Sequence, residues 1–298
     1  MRVTNKMISD SVYRNAGTHL EKMADLQEKL ASGKAINKPS DDPSAVNVAM
    51  LLRNTLADQD QYVSNLKQVD TWLKTGDQTI DSAQTVMLRA LVLANEGASD
   101  TGTPDSRKAL AQEVRELKEQ LRGIANTQLA GRYIFAGSET LTEPYPNGAP
   151  PFPAKLDNVD TLTAEIGPGI SIQYNVTGTD VFGATTDPNS AFQVLEDLAT
   201  ALEADDGTTT GVQIDRINAR LDSMSLQRAG LGGKLNRTEL LTERYAETEV
   251  SMRDLLSANE EVDMPKVISQ LSLSTTVYQA SLAASARIMQ PTLMDFLR

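Results

Sequence analysis

The sequence contains no cysteine, one histidine and one tryptophan, and aromatic residues make up only 4% of its 298 residues. The absence of cysteine excludes disulfide bonds, thiolate nucleophiles and cysteine-ligated metal ions. The single histidine, His19, lies beside a helical seam, which favours a surface or seam position over a metal-binding or catalytic role. Scarce aromatic residues favour long packed helices over a compact enzyme with a deep pocket. We therefore predict no catalytic residue, no cofactor and no metal ion.

Long hydrophobic runs and an excess of positive charge are also lacking. No run approaches the roughly 18 apolar residues that span a membrane, and residues 1–10 lack the apolar region of a cleaved signal peptide. The net charge of -12 argues against nucleic acid and anionic membranes as partners. If the protein leaves the cell, we expect a route that needs no cleaved signal peptide.

The stretch from residue 264 to residue 297 is almost free of charge and predicts a helix with a wide apolar face. Its large side chains recur four or seven residues apart, as on one face of a helix; they are Leu271, Tyr278, Leu282, Met289 and Phe296. Small residues such as Ser281 and Ser285 cover the remaining surface. A buried core helix and an association helix both fit this pattern, and the position at the end of the chain favours association.

A second apolar seam lies near the N-terminus, with steps of three and four residues that are typical of a coiled coil. Its members are Tyr13, Ala16, Leu20, Met23, Gln27 and Leu30. The seam is short for an independent coiled coil, so the C-terminal helix is its natural partner within the chain. We therefore predict that residues 1–40 and 260–298 form one terminal helical coiled-coil domain.

Helical periodicity also runs through the middle of the chain. Asp42 with Pro43, and Thr103 with Pro104, each suit an N-cap followed by the first helical position. Gly and Thr residues predict a turn at residues 205–211, after which apolar periodicity resumes. These signals predict a helical bundle domain formed by residues 41–136 and 190–259.

Between the two parts of this bundle, residues 137–189 are rich in Gly, Pro, Thr and Asn. Ile170, Ile172, Tyr174 and Val176 alternate with polar residues, which predicts a half-buried antiparallel strand. We interpret residues 137–189 as an inserted β-rich outer domain. The predicted fold class is therefore mainly α, a long helical coiled-coil hairpin formed by both chain ends with a small inserted β domain.

Three motifs carry a resemblance to a known family. Residues 30–44 follow the pattern Leu-x-Ser-Gly-x-x-Ile-Asn-x-x-x-Asp-Asp-x-x, which resembles the N-terminal signature of the bacterial flagellin family. Residues 228–237 resemble a second conserved segment of the same family. The heptapeptide Gly-Arg-Tyr-Ile-Phe-Ala-Gly at residues 131–137 is similar to the hook-associated protein 3 branch, whose members form the junction between hook and filament.

The resemblance implies a structural subunit of the extracellular bacterial flagellum, exported by the flagellar type III system and assembled as a ring in a helical tube. Implied partners are further copies of the chain, hook-associated protein 1, flagellin and a flagellar export chaperone. We expect the subunit and chaperone contacts at Tyr13, Leu20, Met23, Leu30, Leu271, Tyr278, Leu282, Met289 and Phe296. The alternatives are a filament flagellin and, more remotely, a secreted enzyme or adhesin that acts through the β insertion.

Overall fold

The computed structural model describes residues 5–99, 102–146, 160–184 and 186–289. Helices dominate this part of the chain, and only two small antiparallel sheets of two strands each accompany them. The helices are α1 (Asn5–Ser32), α2 (Pro43–Ala98), α3 (Pro104–Ala125), α4 (Gly178–Phe182), α5 (Ala191–Glu203), α6 (Gly207–Glu260) and α7 (Met264–Met289). The strands are β1 (Gln128–Leu129), β2 (Arg132–Tyr133), β3 (Thr163–Gly167) and β4 (Ile170–Gln173). The predicted mainly α class with a small β part is confirmed.

Local capping chemistry starts the long helices. The Asp42 carboxylate accepts hydrogen bonds from the backbone amides of Ser44 and Ala45 at 2.9 and 3.0 Å, and Thr103 caps α3 in the same way through Ser106. Side-chain oxygens at these positions satisfy amides that have no partner within the helix. The helix starts predicted from the sequence at residues 42–43 and 103–104 are confirmed.

The turn predicted at residues 205–211 is shorter in the structure. Helix α6 already begins at Gly207, so most of the Gly- and Thr-rich stretch is helical. Asp206 explains this difference, because its carboxylate accepts from the amides of Thr208 and Thr209 at 3.0 Å each. The cap stabilises the first turn of a segment whose composition favours a loop.

The chain divides into two compact units. One, which we call the terminal unit, consists of Met1–Asp58 with Glu247–Arg298; the other, the central unit, is Gln59–Ala246. Each long helix, α2 and α6, contributes residues to both units. The division into three domains inferred from the sequence stays a prediction.

The central unit contains a continuous apolar core. Leu73 and Ile80 of α2, and Leu195 and Leu198 of α5, are completely buried. Residues from the β-rich segment belong to the same core cluster, among them Ile166, Ile172, Val181 and Phe182. Four aromatic rings meet beside them with centroids 4.9–5.8 Å apart, namely Phe135, Tyr145, Phe182 and Phe192.

The β3–β4 hairpin is fixed to the long helices by side-chain hydrogen bonds. Asn65 of α2 donates to the Glu165 carbonyl at 2.7 Å, and the Tyr245 hydroxyl of α6 donates to the Ile166 carbonyl at 2.6 Å. Antiparallel pairing joins Ala164 to Ile172 in this hairpin. These contacts hold the hairpin against the helices that build the core.

The strand predicted across residues 170–176 ends at Gln173 in the structure. Asn175 is buried, and its side chain takes the place of strand hydrogen bonds at this point. It accepts a hydrogen bond from the Leu162 amide at 2.8 Å and donates one to the Asp160 carbonyl at 2.9 Å. Alternation of side chains therefore gives way to an irregular buried segment, which the period-two pattern alone does not distinguish from a longer strand.

Candidate assembly surface

Helices α1 and α7 pack against each other in the terminal unit, so the predicted pairing of the chain ends is confirmed over the residues that the structure describes. Half-buried or buried positions recur every three or four residues along both helices, as expected for a helix pair. On α1 they include Ala16, His19, Met23, Leu26 and Leu30, and on α7 Val267, Leu271, Ser274, Tyr278 and Ser281.

The structure divides the predicted contact residues into two groups. Met23, Leu30, Leu271 and Tyr278 are half-buried. Tyr13, Leu20 and Leu282 remain 68%, 49% and 45% exposed. Phe296 and the side chain of Met289 lie outside the described residues. A role of these residues in binding other proteins stays a prediction.

The prediction of the N-terminal seam is wrong in one detail. The sequence pattern placed Leu20 and Gln27 in the same seam as Met23, but both are exposed, whereas His19 and Leu26 are half-buried. Neighbouring helical positions differ by about 100° around the axis, so steps of three and four can be drawn along either edge of the same face. Contact with α7 decides which edge lies inside.

The terminal unit exposes an extensive set of large apolar side chains. They are Met7, Tyr13 and Leu20 on α1, Val48, Met50 and Leu51 on α2, Val250 and Leu255 on α6, and Met264, Ile268, Leu273, Val277 and Leu282 on α7. We call these residues the exposed apolar set. Among the described residues of this unit, only Ala49 and Val267 are buried hydrophobic residues. Large exposed apolar surfaces are typical of sites that bind another protein, and the number of these side chains makes the terminal unit the candidate region.

The members of this set on α2 and α6 were not predicted from the sequence to be exposed. A signal is present on α2, where Met50, Leu51 and Leu52 are consecutive and cannot all face one side of a helix. Val48 and Leu51 are 46% and 66% exposed, whereas Ala49 between them is buried. More apolar residues surround the buried Ala49 than one buried helix face can hold. This pattern therefore indicates a second apolar face on α2.

No helix in the described ranges is long and apolar enough to cross a membrane. Within residues 5–99, 102–146, 160–184 and 186–289, no three acidic or histidine side chains are grouped so that they could hold a metal ion. The candidate functional site is the exposed apolar set, because of the number of large apolar side chains that the terminal unit exposes.

The proteins that this chain resembles are flagellar proteins. Residues 3–140 match the bacterial flagellin N-terminal helical region. The family resemblance inferred from the sequence motifs is confirmed. Over 306 residues, the chain is 25% identical to flagellar hook-associated protein 3 of Escherichia coli, covering 95% of this chain and 96% of the relative. It is also 24% identical to a flagellin of Halalkalibacterium halodurans, covering 97% and 96% of the two chains.

Solved structures of flagellar proteins share the fold. FlgL of Xanthomonas campestris superposes with a TM-score of 0.60 and 16% identity, covering 69% of this chain and 99% of FlgL. The flagellar junction protein FlgL of Legionella pneumophila gives a TM-score of 0.55 and 14% identity, covering 73% and 100%. Together with the full-length relatives, this similarity supports a structural role in the bacterial flagellum.

Proposed function

We propose that the protein is a structural subunit of the junction between the hook and the filament of the bacterial flagellum. The exposed apolar set carries this proposal, because the terminal unit has little core of its own and needs other protein to cover it. Burial of one large apolar side chain contributes about 1.5–3 kcal/mol. Copies of this chain packed as a ring in a helical tube would bury many such side chains together.

The family resemblance supplies the further partners in this proposal. Hook-associated protein 1 would contact the junction on the hook side and flagellin on the filament side. The protein would be exported without a cleaved signal peptide through the flagellar type III system and act outside the cell. Nucleic acid, membrane and cofactors have no part in the proposal, and neither has catalysis.

An export chaperone is the proposed partner before assembly. Leu271, Tyr278 and Leu282 lie on α7 at the spacing with which helical segments fill an apolar groove. Leu282 is 45% exposed beside the helix pair and is therefore accessible to a partner. The same apolar face would serve the chaperone in the cytoplasm and neighbouring subunits in the tube.

A filament flagellin is the alternative, and full-length similarity to a flagellin favours considering it. Residues 131–137 argue for the junction protein, since this heptapeptide resembles the hook-associated branch. In the structure its Ile134 and Phe135 are buried at 1% exposure, which gives the motif a role in the core of the central unit. Polymerisation of the purified protein alone into long filaments would favour the flagellin alternative.

The decisive experiment is deletion of the gene followed by complementation. We expect the deletion strain to keep intact hooks and to secrete flagellin that stays unattached. The parent chain should restore motility, whereas Leu282→Asp should not, because a carboxylate at this position opposes burial. Ser285→Ala on the same helix is the control and should behave as the parent. Attached filaments in the deletion strain would contradict the proposed function.

A further inference from the structure

The first connecting segment, residues 33–42 between α1 and α2, is hydrogen-bonded to the last residue of α6 and to the second connecting segment, residues 261–263 between α6 and α7. The Ala35 amide donates to the Glu260 carbonyl at 2.7 Å, and the Val262 amide donates to the Gly33 carbonyl at 3.1 Å. An antiparallel bridge pairs Lys34 with Glu261 between these two bonds. We call this paired structure, residues 33–35 with 260–262, the joint.

The side chain of Glu260 lies at the centre of the joint. It is only 11% exposed, and its carboxylate accepts a hydrogen bond from Arg53 Nη2 at 2.6 Å and lies 3.5 Å from Lys34 Nζ. Arg53 belongs to α2, Lys34 to the first connecting segment and Glu260 to the end of α6. One carboxylate therefore links three parts of the terminal unit. Charge-assisted bonds of this kind are stronger than neutral ones.

Further hydrogen bonds order the chain around the joint. Asn259 donates to the Ala45 carbonyl of α2 at 2.8 Å. In the first connecting segment, the Asp41 carboxylate accepts from the amides of Lys38 and Asn37, and these bonds hold the pKa of Asp41 below its usual value. The Lys38 ammonium contacts Glu28 of α1 at 2.8 Å. The middle of the first connecting segment is thus tied to α1 through Lys38, and Asp41 orders its second half.

We infer that Glu260 is a positioning residue, which holds the α1–α7 pair on the joint in the orientation that the assembly surface requires. This inference rests on the proposed function. The exposed apolar set extends over four helices of the terminal unit, and neighbouring copies can contact these residues in the same way in every subunit only if those helices keep a fixed arrangement. Two free linkers would leave that arrangement to be selected at every binding event, which weakens association.

The test compares Glu260→Gln, which keeps the side-chain shape, with Glu261→Gln, which makes the same charge change at the exposed neighbouring position. Amide hydrogen exchange is measured in the purified full-length chain. At Ala35 and Val262 we expect exchange about tenfold faster in Glu260→Gln and unchanged in Glu261→Gln. Arg53→Gln should give a similar increase in exchange rate. The double variant should exchange little faster than Glu260→Gln, because both changes remove the same Arg53–Glu260 interaction.

Assembly is then measured by complementation of the deletion strain, counting cells with attached filaments. We expect Glu260→Gln to lower this fraction severalfold, while circular dichroism shows that its helix content equals that of the parent. Arg53→Lys keeps the positive charge and is a milder variant. Its fraction of cells with attached filaments should lie between those of the parent and Glu260→Gln.

Each outcome separates the inference from the proposed function. Parent-like exchange at Ala35 and Val262 in Glu260→Gln would overturn the role of the Glu260 side chain in stabilising the joint. Faster exchange with parent-like assembly would overturn the positioning role and leave the proposed function intact. Failure of the parent chain to restore filaments would overturn the proposed function, and with it the positioning role. The exchange data would still decide whether the Glu260 side chain stabilises the joint.

Discussion

The terminal unit and the central unit are built from similar helices, yet they bury their apolar side chains to different extents. In the central unit, α2, α3, α5 and α6 surround a common core together with the β-rich segment. In the terminal unit, α1 and α7 form a pair, and each helix of a pair has only one inner face. The comparison shows that apolar periodicity predicts a buried face but does not tell whether the covering protein belongs to the same chain.

The largest effect should come from opening the central core at Phe182. Phe182 has no exposed surface and contacts three other aromatic rings. We expect Phe182→Ala to lower the free energy of unfolding by about 3–5 kcal/mol, measured by urea denaturation. Leu141→Ala is the control, because Leu141 is 80% exposed, and it should change stability by less than about 0.5 kcal/mol. A small effect at Phe182 would contradict a continuous core that includes the β-rich segment.

Glycine substitutions should have opposite signs in the two units. Gly183 of the central unit has a positive φ of 92°, and a Cβ there would lie 2.8 Å from Ser190 Cα. Gly183→Ala should therefore destabilise the protein by about 1–3 kcal/mol. Gly17 of α1 has nothing within 4 Å of an added Cβ. Gly17→Ala should stabilise α1 by about 0.5–1 kcal/mol, since glycine is unfavourable inside a helix. Thermal unfolding of both variants measures these shifts, and equal signs would refute this distinction.

A polar change on the exposed apolar set should leave the monomer nearly unchanged and act on association. Leu20 is 49% exposed, so Leu20→Asp should alter the unfolding free energy of the isolated chain by less than about 0.5 kcal/mol. Attachment of filaments in the complemented deletion strain should nevertheless be lost. Asn15→Asp introduces the same charge at an exposed polar position of α1 and serves as the control. Large destabilisation of the monomer would show that Leu20 belongs to an internal core.

The smallest effect concerns capping carboxylates and pH. The Thr209 hydroxyl and the amides of Thr209 and Thr208 hydrogen-bond to Asp206 and hold its pKa below the ordinary value. A lowered pKa in the folded state contributes stability above the unfolded pKa, and that stability is lost as the pH falls through the folded pKa. Thermal unfolding followed from neutral to strongly acidic pH should therefore show a slightly smaller decrease for Asp206→Asn than for the parent.

Asp41 offers the same comparison in the terminal unit, because backbone amides also lower its pKa. Hydrogen exchange near residues 37–38 should report its protonation locally. If acid accelerates exchange there no more in the parent than in Asp41→Asn, the carboxylate has no role in ordering the connecting segment.

Much of this protein follows from the sequence itself. The starts of α2 and α3 were predictable because Asp42 and Thr103 use their own side chains to satisfy amides two or three residues away. The mainly α class followed from periodicity over long stretches. The family resemblance followed from short motifs, and the first of these, at residues 30–44, includes the first connecting segment.

Other features depended on partners that are distant in sequence. His19 and Leu26, and not Leu20 and Gln27, lie on the inner side of α1 because α7 covers that edge of the helix. Strand β4 ends at Gln173, before the predicted end at residue 176, because the Asn175 side chain is hydrogen-bonded to residues 160 and 162. The joint forms because Glu260 meets Arg53 across 207 positions of the chain. Periodicity in the sequence shows which residues can be buried on one face of a helix or strand. Which of several possible faces is buried, and which charged residues pair, depends on packing between helices that are far apart in the sequence.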